Sequence, residues 1–129
     1  MNAVVLDASA LLALLRSEPG AKKVEGALAG ARMSVVNMAE VASHYHRLGM
    51  PADMVDQMLR PLPIALVPAD IELCWEVGRL RAVTAEAGLS LGDRFCLALA
   101  KRENLPAWTA DRKWKEVADA AGAKVVLIR

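Results

Sequence analysis

The chain has 129 residues, enough for one domain with a packed core. Hydrophobic residues make up 55% and charged residues 24%, a balance that excludes disorder. The formal charge is +1 and aromatics reach only 4%, so neither a bulk electrostatic nucleic-acid binder nor a base-stacking platform fits; a local basic rim remains compatible.

The apolar run at 4–6 predicts a buried strand that ends at Asp7 and leads into a helix. Burying an ionised carboxylate costs several kcal/mol unless something pairs with it, so this placement points to a cation. The apolar stretch after Asp7 has the length of a signal-peptide core. It lacks a basic segment before it and a small-residue cleavage site after it. No stretch reaches the ~20 apolar residues of a membrane span, so a cytoplasmic protein with no membrane contact is expected.

Pro19-Gly20 predicts a short helix over 21–28, closed by Gly30. A strand at 33–36 follows. Asn37 then precedes a helix over 38–48, ended by Gly49 and Pro51. A helix at 52–59 is punctuated by Pro61 and Pro63. After a strand at 64–67, residues 69–87 form the longest helix candidate, with Gly88 at its end. Ser90-Leu91-Gly92-Asp93 reads as a capping box opening a helix to about Glu103. A strand at 107–109 leads to Asp111, a candidate cap for a helix over 112–121 that Gly122 stops. A strand at 125–128 closes the chain. Cys74 and Cys96 read as two buried free thiols in a reducing compartment.

This alternation of apolar strands and helices predicts an α/β fold. The expected architecture is a three-layer α/β/α single domain over residues 1–129, with a central, mostly parallel five-stranded sheet. In such sheets ligands bind beyond the carboxyl ends of the strands, where strand order reverses. If the first and fourth strands are neighbours there, Asp7 and Asp111 meet in one crevice.

Each acid also has an ordinary reading. Asp7 could cap the next helix, with Ser9 sharing that work. Glu40 could be the third residue of a capping box with Asn37 as cap. Asp93 could serve Ser90 in the same way, although Leu97 and Ala100 on its helical stripe place it beside the inward face. Asp111 could be a plain N-cap. Taken together, four carboxylates on separate elements, with Ser9, Asn37 and Thr109 as neutral partners, suit Mg2+ or Mn2+, which take oxygen ligands and retain waters. No His or Cys cluster favours zinc. His44 and His46 read as surface or packing residues.

The pattern resembles the PIN-domain nucleases, and within them the VapC-type toxins of bacterial toxin–antitoxin pairs. Val5-Leu6-Asp7-Ala8-Ser9-Ala10 looks like the first acidic motif, D-x-S, and Ser34-Val35-Val36-Asn37-Met38-Ala39-Glu40-Val41 the second. Leu91-Gly92-Asp93-Arg94-Phe95-Cys96-Leu97-Ala98-Leu99-Ala100 resembles the third, and Thr109-Ala110-Asp111-Arg112 with Trp114 the fourth, T-x-D. The match runs through the whole chain in order. Trp108 departs from it, being bulkier than the usual aliphatic residue. The resemblance implies a metal-dependent endoribonuclease acting on RNA, a homodimer, and a separate antitoxin protein. It implies Asp7, Glu40 and Asp93 as metal-binding acids, with Asp111 acting through water or by fixing Thr109.

Four carboxylates repel RNA, so basic residues should offset them at the rim. Arg94 and Arg112 are the candidate substrate-binding residues, with Arg16, Lys22, Lys23, Lys113 and Lys115 behind them. Met50, Met54, Met58 and Leu59 read as core packing, or alternatively as a dimer or antitoxin surface. Two other function classes compete. A phosphotransfer or receiver domain needs an acidic pair at the first strand or an acceptor Asp after the third, and neither is present. A non-catalytic PIN-like interaction module with a vestigial metal site stays open.

Overall fold

The computed structural model describes residues 3–129. Five parallel strands form one sheet in the order β3-β2-β1-β4-β5: β1 Val5–Leu6, β2 Arg32–Ser34, β3 Ala65–Val67, β4 Ala107–Thr109 and β5 Val125–Leu127. All four pairings are parallel, so every strand delivers its carboxyl end to the same edge. Strand order reverses between β1 and β4, where Val5 pairs with Ala107 and Leu6 with Trp108. The expected three-layer α/β architecture is therefore the observed one, and the reversal falls between the two strands that precede Asp7 and Asp111.

Among the described residues, seven helices cover the sheet: α1 Ala8–Leu15, α2 Ala21–Ala27, α3 Val35–Arg47, α4 Ala52–Leu59, α5 Ile71–Thr84, α6 Leu91–Glu103 and α7 Trp114–Ala121. On one face Val5, Ala107 and Val125 pack with α5, α6 and α7 around fully buried Trp114, Leu97 and Leu99. On the other, Val4, Leu6 and Ile128 pack against α1 and α2. A third cluster joins Leu11 and Met33 to Val41, Tyr45, Val55 and Leu59. Burial of each large aliphatic side chain contributes roughly 1.5–3 kcal/mol, and these clusters hold the site's walls in place. Phe95 through Ala100 are all buried. The middle of α6 is thereby buried on every side, and Asp93 stands half buried in its first turn.

Several boundaries differ from the sequence-based expectation, each for a local reason. The strand expected at 33–36 stops at Ser34, whose hydroxyl accepts from Val36 N at 3.1 Å and caps α3. Asn37 is therefore no cap; it lies inside α3, and Glu40 is one turn further into the helix than the capping-box reading places it. The longest helix begins at Ile71, because Asp70 caps it by accepting from Leu73 N at 2.8 Å. The last helix begins at Trp114: Asp111 Oδ1 accepts from Lys113 N at 3.0 Å and holds 111–113 in a turn. Cys96 is a buried free thiol as expected, but Cys74 is exposed on α5. Leu59 is buried and Met54 is half exposed, so the methionine group is only partly core.

Candidate active site

Asp7 follows β1 at the reversal and is only 4% exposed. Its backbone N–H donates to Trp108 O of β4 at 3.1 Å. Its Oδ1 accepts from Ala10 N at 2.8 Å, so it also caps α1. Thr109 Oγ1 donates to Oδ2 at 2.6 Å, and Ser9 Oγ lies 2.8 and 2.9 Å from the two oxygens. Ser9 in turn accepts from Ala110 N at 2.9 Å, and Thr109 accepts from Asp111 N at 3.0 Å. These two hydroxyls tie the loop after β4 to the loop after β1. The D-x-S and T-x-D spacings thus serve one cradle across the sheet's switch point.

Glu40 reaches the same region from α3. Asn37 Nδ2 donates to its Oε1 at 2.9 Å and to Gly92 O of α6 at 2.9 Å. Asp93 sits in the first turn of α6, where its Oδ2 accepts from Ser90 N at 2.9 Å and Ser90 Oγ accepts from Asp93 N at 3.2 Å. The capping box expected at Ser90 is present, and Asp93 is half buried. Asp7, Glu40 and Asp93 share one electrostatic neighbourhood. Burial first, then the negative charges of all three, pushes the Cys96 thiol well above its ordinary value. Burial, reinforced by Asp93, raises Asp7 to about 6. Burial likewise raises Glu40, with Asp93 again adding to the effect. In each case burial is the first cause and neighbouring carboxylate charge adds to it, although Glu40 itself stays largely exposed.

Asp111 stands slightly apart, half buried, with its carboxylate engaged by Lys113 N. Its link to the other acids runs through its own N–H and Thr109. Arg94 is turned away from the crevice. It is 9% exposed and donates to Val77 O of α5 at 3.0 Å. Arg112 and Lys113 are exposed beside Asp111. Arg16 pairs with Glu18, Lys115 donates to Val125 O, and Lys23 lies over Trp108 at 5.2 Å. Sequence reasoning misses Gly92. It is buried, and a Cβ placed there would fall 2.5 Å from Cδ and Oε1 of Glu40. Its only signal in the sequence is its position inside the Ser90-to-Asp93 box.

The donor set is all oxygen, which suits a hard divalent cation. Among the described residues, the ion pairs involve Glu18, Asp56, Asp70, Glu76 and Glu103, and none reaches Asp7, Glu40, Asp93 or Asp111. Among those residues, no group of three or more His, Cys, Asp or Glu side chains is placed to hold a metal ion as it stands. Asp7, Asp93 and Asp111 each also accept from a backbone N–H at a cap or turn. The residues therefore fit Mg2+ or Mn2+ by donor chemistry and by unbalanced charge.

Comparison with known proteins places the chain. The PIN domain family model matches residues 4–120. This chain belongs to the PIN domain family. No curated protein matches it. Solved structures do. A chain of a Klebsiella pneumoniae toxin–antitoxin complex aligns at a TM-score of 0.74 and 18% identity, covering 98% of each chain. VapC20 of Mycobacterium tuberculosis, a toxin that cleaves the sarcin-ricin loop, aligns at 0.73 and 16% identity, covering 93% of this chain and 95% of that one. A chain of VapBC-5 from the same organism aligns at 0.61 and 25% identity, covering 100% and 99%. These likenesses carry the PIN fold over the whole length.

Proposed function

We propose that this PIN-domain chain is a metal-dependent endoribonuclease and the toxin of a toxin–antitoxin pair. The observation that carries the reading is a carboxylate, Asp7, buried at the sheet's switch point beside Glu40 and Asp93, with no ion pair to any of them among the described residues. Asp7, Glu40 and Asp93 would hold Mg2+ or Mn2+, and Asp111 would act through Thr109. Such an ion supplies charge relief at the scissile phosphate and activation of water. Ser9 and Thr109 hold the Asp7 carboxylate in place by hydrogen bonds to its oxygens. A carboxylate orients the attacking water in line with the leaving oxygen. The water oxygen bonds to phosphorus as the bond to the 3′-oxygen breaks, so the products carry 5′-phosphate and 3′-hydroxyl ends, with no part taken by the 2′-hydroxyl.

Arg112, exposed beside Lys113, would meet RNA at the rim; Arg94, on α6 and turned into the fold, would instead tie α6 to Val77 of α5. The solved neighbours include toxin–antitoxin complexes, which supports an antitoxin partner. The reading extends to one nuclease domain spanning the chain, a homodimer, and a cytoplasmic location. No helix among the described residues is long and apolar enough to cross a membrane.

The test is incubation of the purified chain with RNA, with Mg2+ or with excess chelator. Cleavage in Mg2+ to 5′-phosphate products, abolished by the chelator and restored by added Mg2+ or Mn2+, is expected. Intact RNA under every metal condition would leave the interaction-module reading standing instead.

A further inference from the structure

We propose that Asn37 and Gly92 form a latch between α3 and α6 that sets the direction of the Glu40 carboxylate, and that this latch tunes the cation affinity of the site. The inference rests on the metal-site reading given above and extends it to two residues that carry no charge.

Asn37 is 1% exposed. Its one amide nitrogen serves two acceptors on two elements, Glu40 Oε1 and Gly92 O, both at 2.9 Å. These partners fix which way the amide faces, since turning it over would set Oδ1 against two acceptor oxygens. The Oδ1 that results is buried without a partner. Burying an unpaired acceptor is unfavourable, and a residue selected only for packing would not leave one. Gly92 O does not need Asn37 either. As a carbonyl in the first turn of α6 it already faces the amide four residues on. The position is occupied for its two donated hydrogen bonds, and one of them ends on Glu40.

Gly92 supplies the other half. Its backbone is ordinary helix rather than left-handed, so the helix itself would favour alanine there. The carboxylate of Glu40 rests on the bare Cα face. A Cβ would meet Cδ and Oε1 at 2.5 Å and Oε2 closer still. The obstructed group is the end of a flexible side chain. Adding the methyl therefore displaces the carboxylate and leaves the helix intact. Gly92 also directly precedes Asp93, so the latch registers Glu40 against the element that bears the next acid.

The experiment measures Mn2+ binding by calorimetry, with a thermal melt of each metal-free protein, for the wild type, Gly92→Ala, Asn37→Leu and Asp7→Asn. The wild type should bind Mn2+ and Asp7→Asn should lose binding. Gly92→Ala and Asn37→Leu should each bind about 10-fold more weakly or worse, the range typical of residues that orient metal-binding groups. Gly92→Ala should melt no lower than wild type, which separates a displaced acid from a damaged fold. If the wild type binds no Mn2+, or Asp7→Asn binds as well as wild type, the metal-site reading fails and the latch with it. If Asp7→Asn loses binding while Gly92→Ala stays within twofold of wild type, the latch alone is overturned.

Discussion

Asp7→Asn is expected to cut RNA roughly 100-fold more slowly than wild type, or worse, while remaining folded. That factor corresponds to about 2.7 kcal/mol of transition-state stabilisation. The substitution keeps the shape of the side chain and removes its charge. Its oxygen can still accept from Ala10 N and Ser9 Oγ, while the amide nitrogen in the place of Oδ2 donates to Thr109 Oγ1 and reverses that bond, so the cradle across β1 and β4 persists. What disappears is the negative charge of the one buried acid of the site. Asp111→Asn is expected to cost less, because that carboxylate is engaged in a turn with Lys113 and reaches Asp7 only through Thr109. Initial rates on a labelled RNA at saturating Mg2+ measure both variants. Equal rates for wild type and Asp7→Asn would remove Asp7 from the chemistry.

The metal-free protein should lose stability as pH rises from about 4 to about 6, by up to ~3 kcal/mol, since each pH unit across that window contributes about 1.36 kcal/mol. The direction follows from Asp7. Burial raises its folded-state value from 3.8 to about 6. Between those values the folded state holds a proton that the unfolded state has released, so each increment of pH favours unfolding. Below the window both states are protonated; above it both are ionised and the loss is complete. Glu40 is raised for the same reason and acts in the same direction. Urea unfolding across this range, wild type beside Asp7→Asn, reads the effect. The variant carries no titrating group at position 7, so its stability advantage over wild type should grow as pH rises. A constant difference between the two proteins from about pH 4 to about pH 7 would contradict the buried-charge account. Stability lost to the charge at position 7 and activity lost without it are two faces of one arrangement.

Much of this arrangement is legible in the sequence because the signals are short-range. The run at 4–6 ending on Asp7, the Ser90-to-Asp93 box, and the T-x-D at 109–111 each describe a strand end or helix start, and each is where its residues place it. Val35 and Val36 mislead because β-branched residues read as strand, whereas Ser34 caps a helix that starts beneath them. Asn37 is consequently a buried bridge rather than a cap. Adjacency to Asp93 suggests the rim for Arg94, but adjacent helical residues point about 100° apart, and Arg94 faces α5. Beyond its place in the Ser90-to-Asp93 box, the role of Gly92 is hidden in the sequence, because a side chain from another helix defines it. Contacts of that kind are set by packing, and nothing local encodes them.

The central claim is that the acids of three separate elements share one divalent cation. Crystals soaked in Mn2+ and measured at the manganese absorption edge test it most directly. The account predicts an anomalous peak coordinated by Asp7 together with Glu40 or Asp93, absent from Asp7→Asn crystals treated in the same way. A peak seated elsewhere on the molecule, or one that persists unchanged at this position in Asp7→Asn, would contradict it.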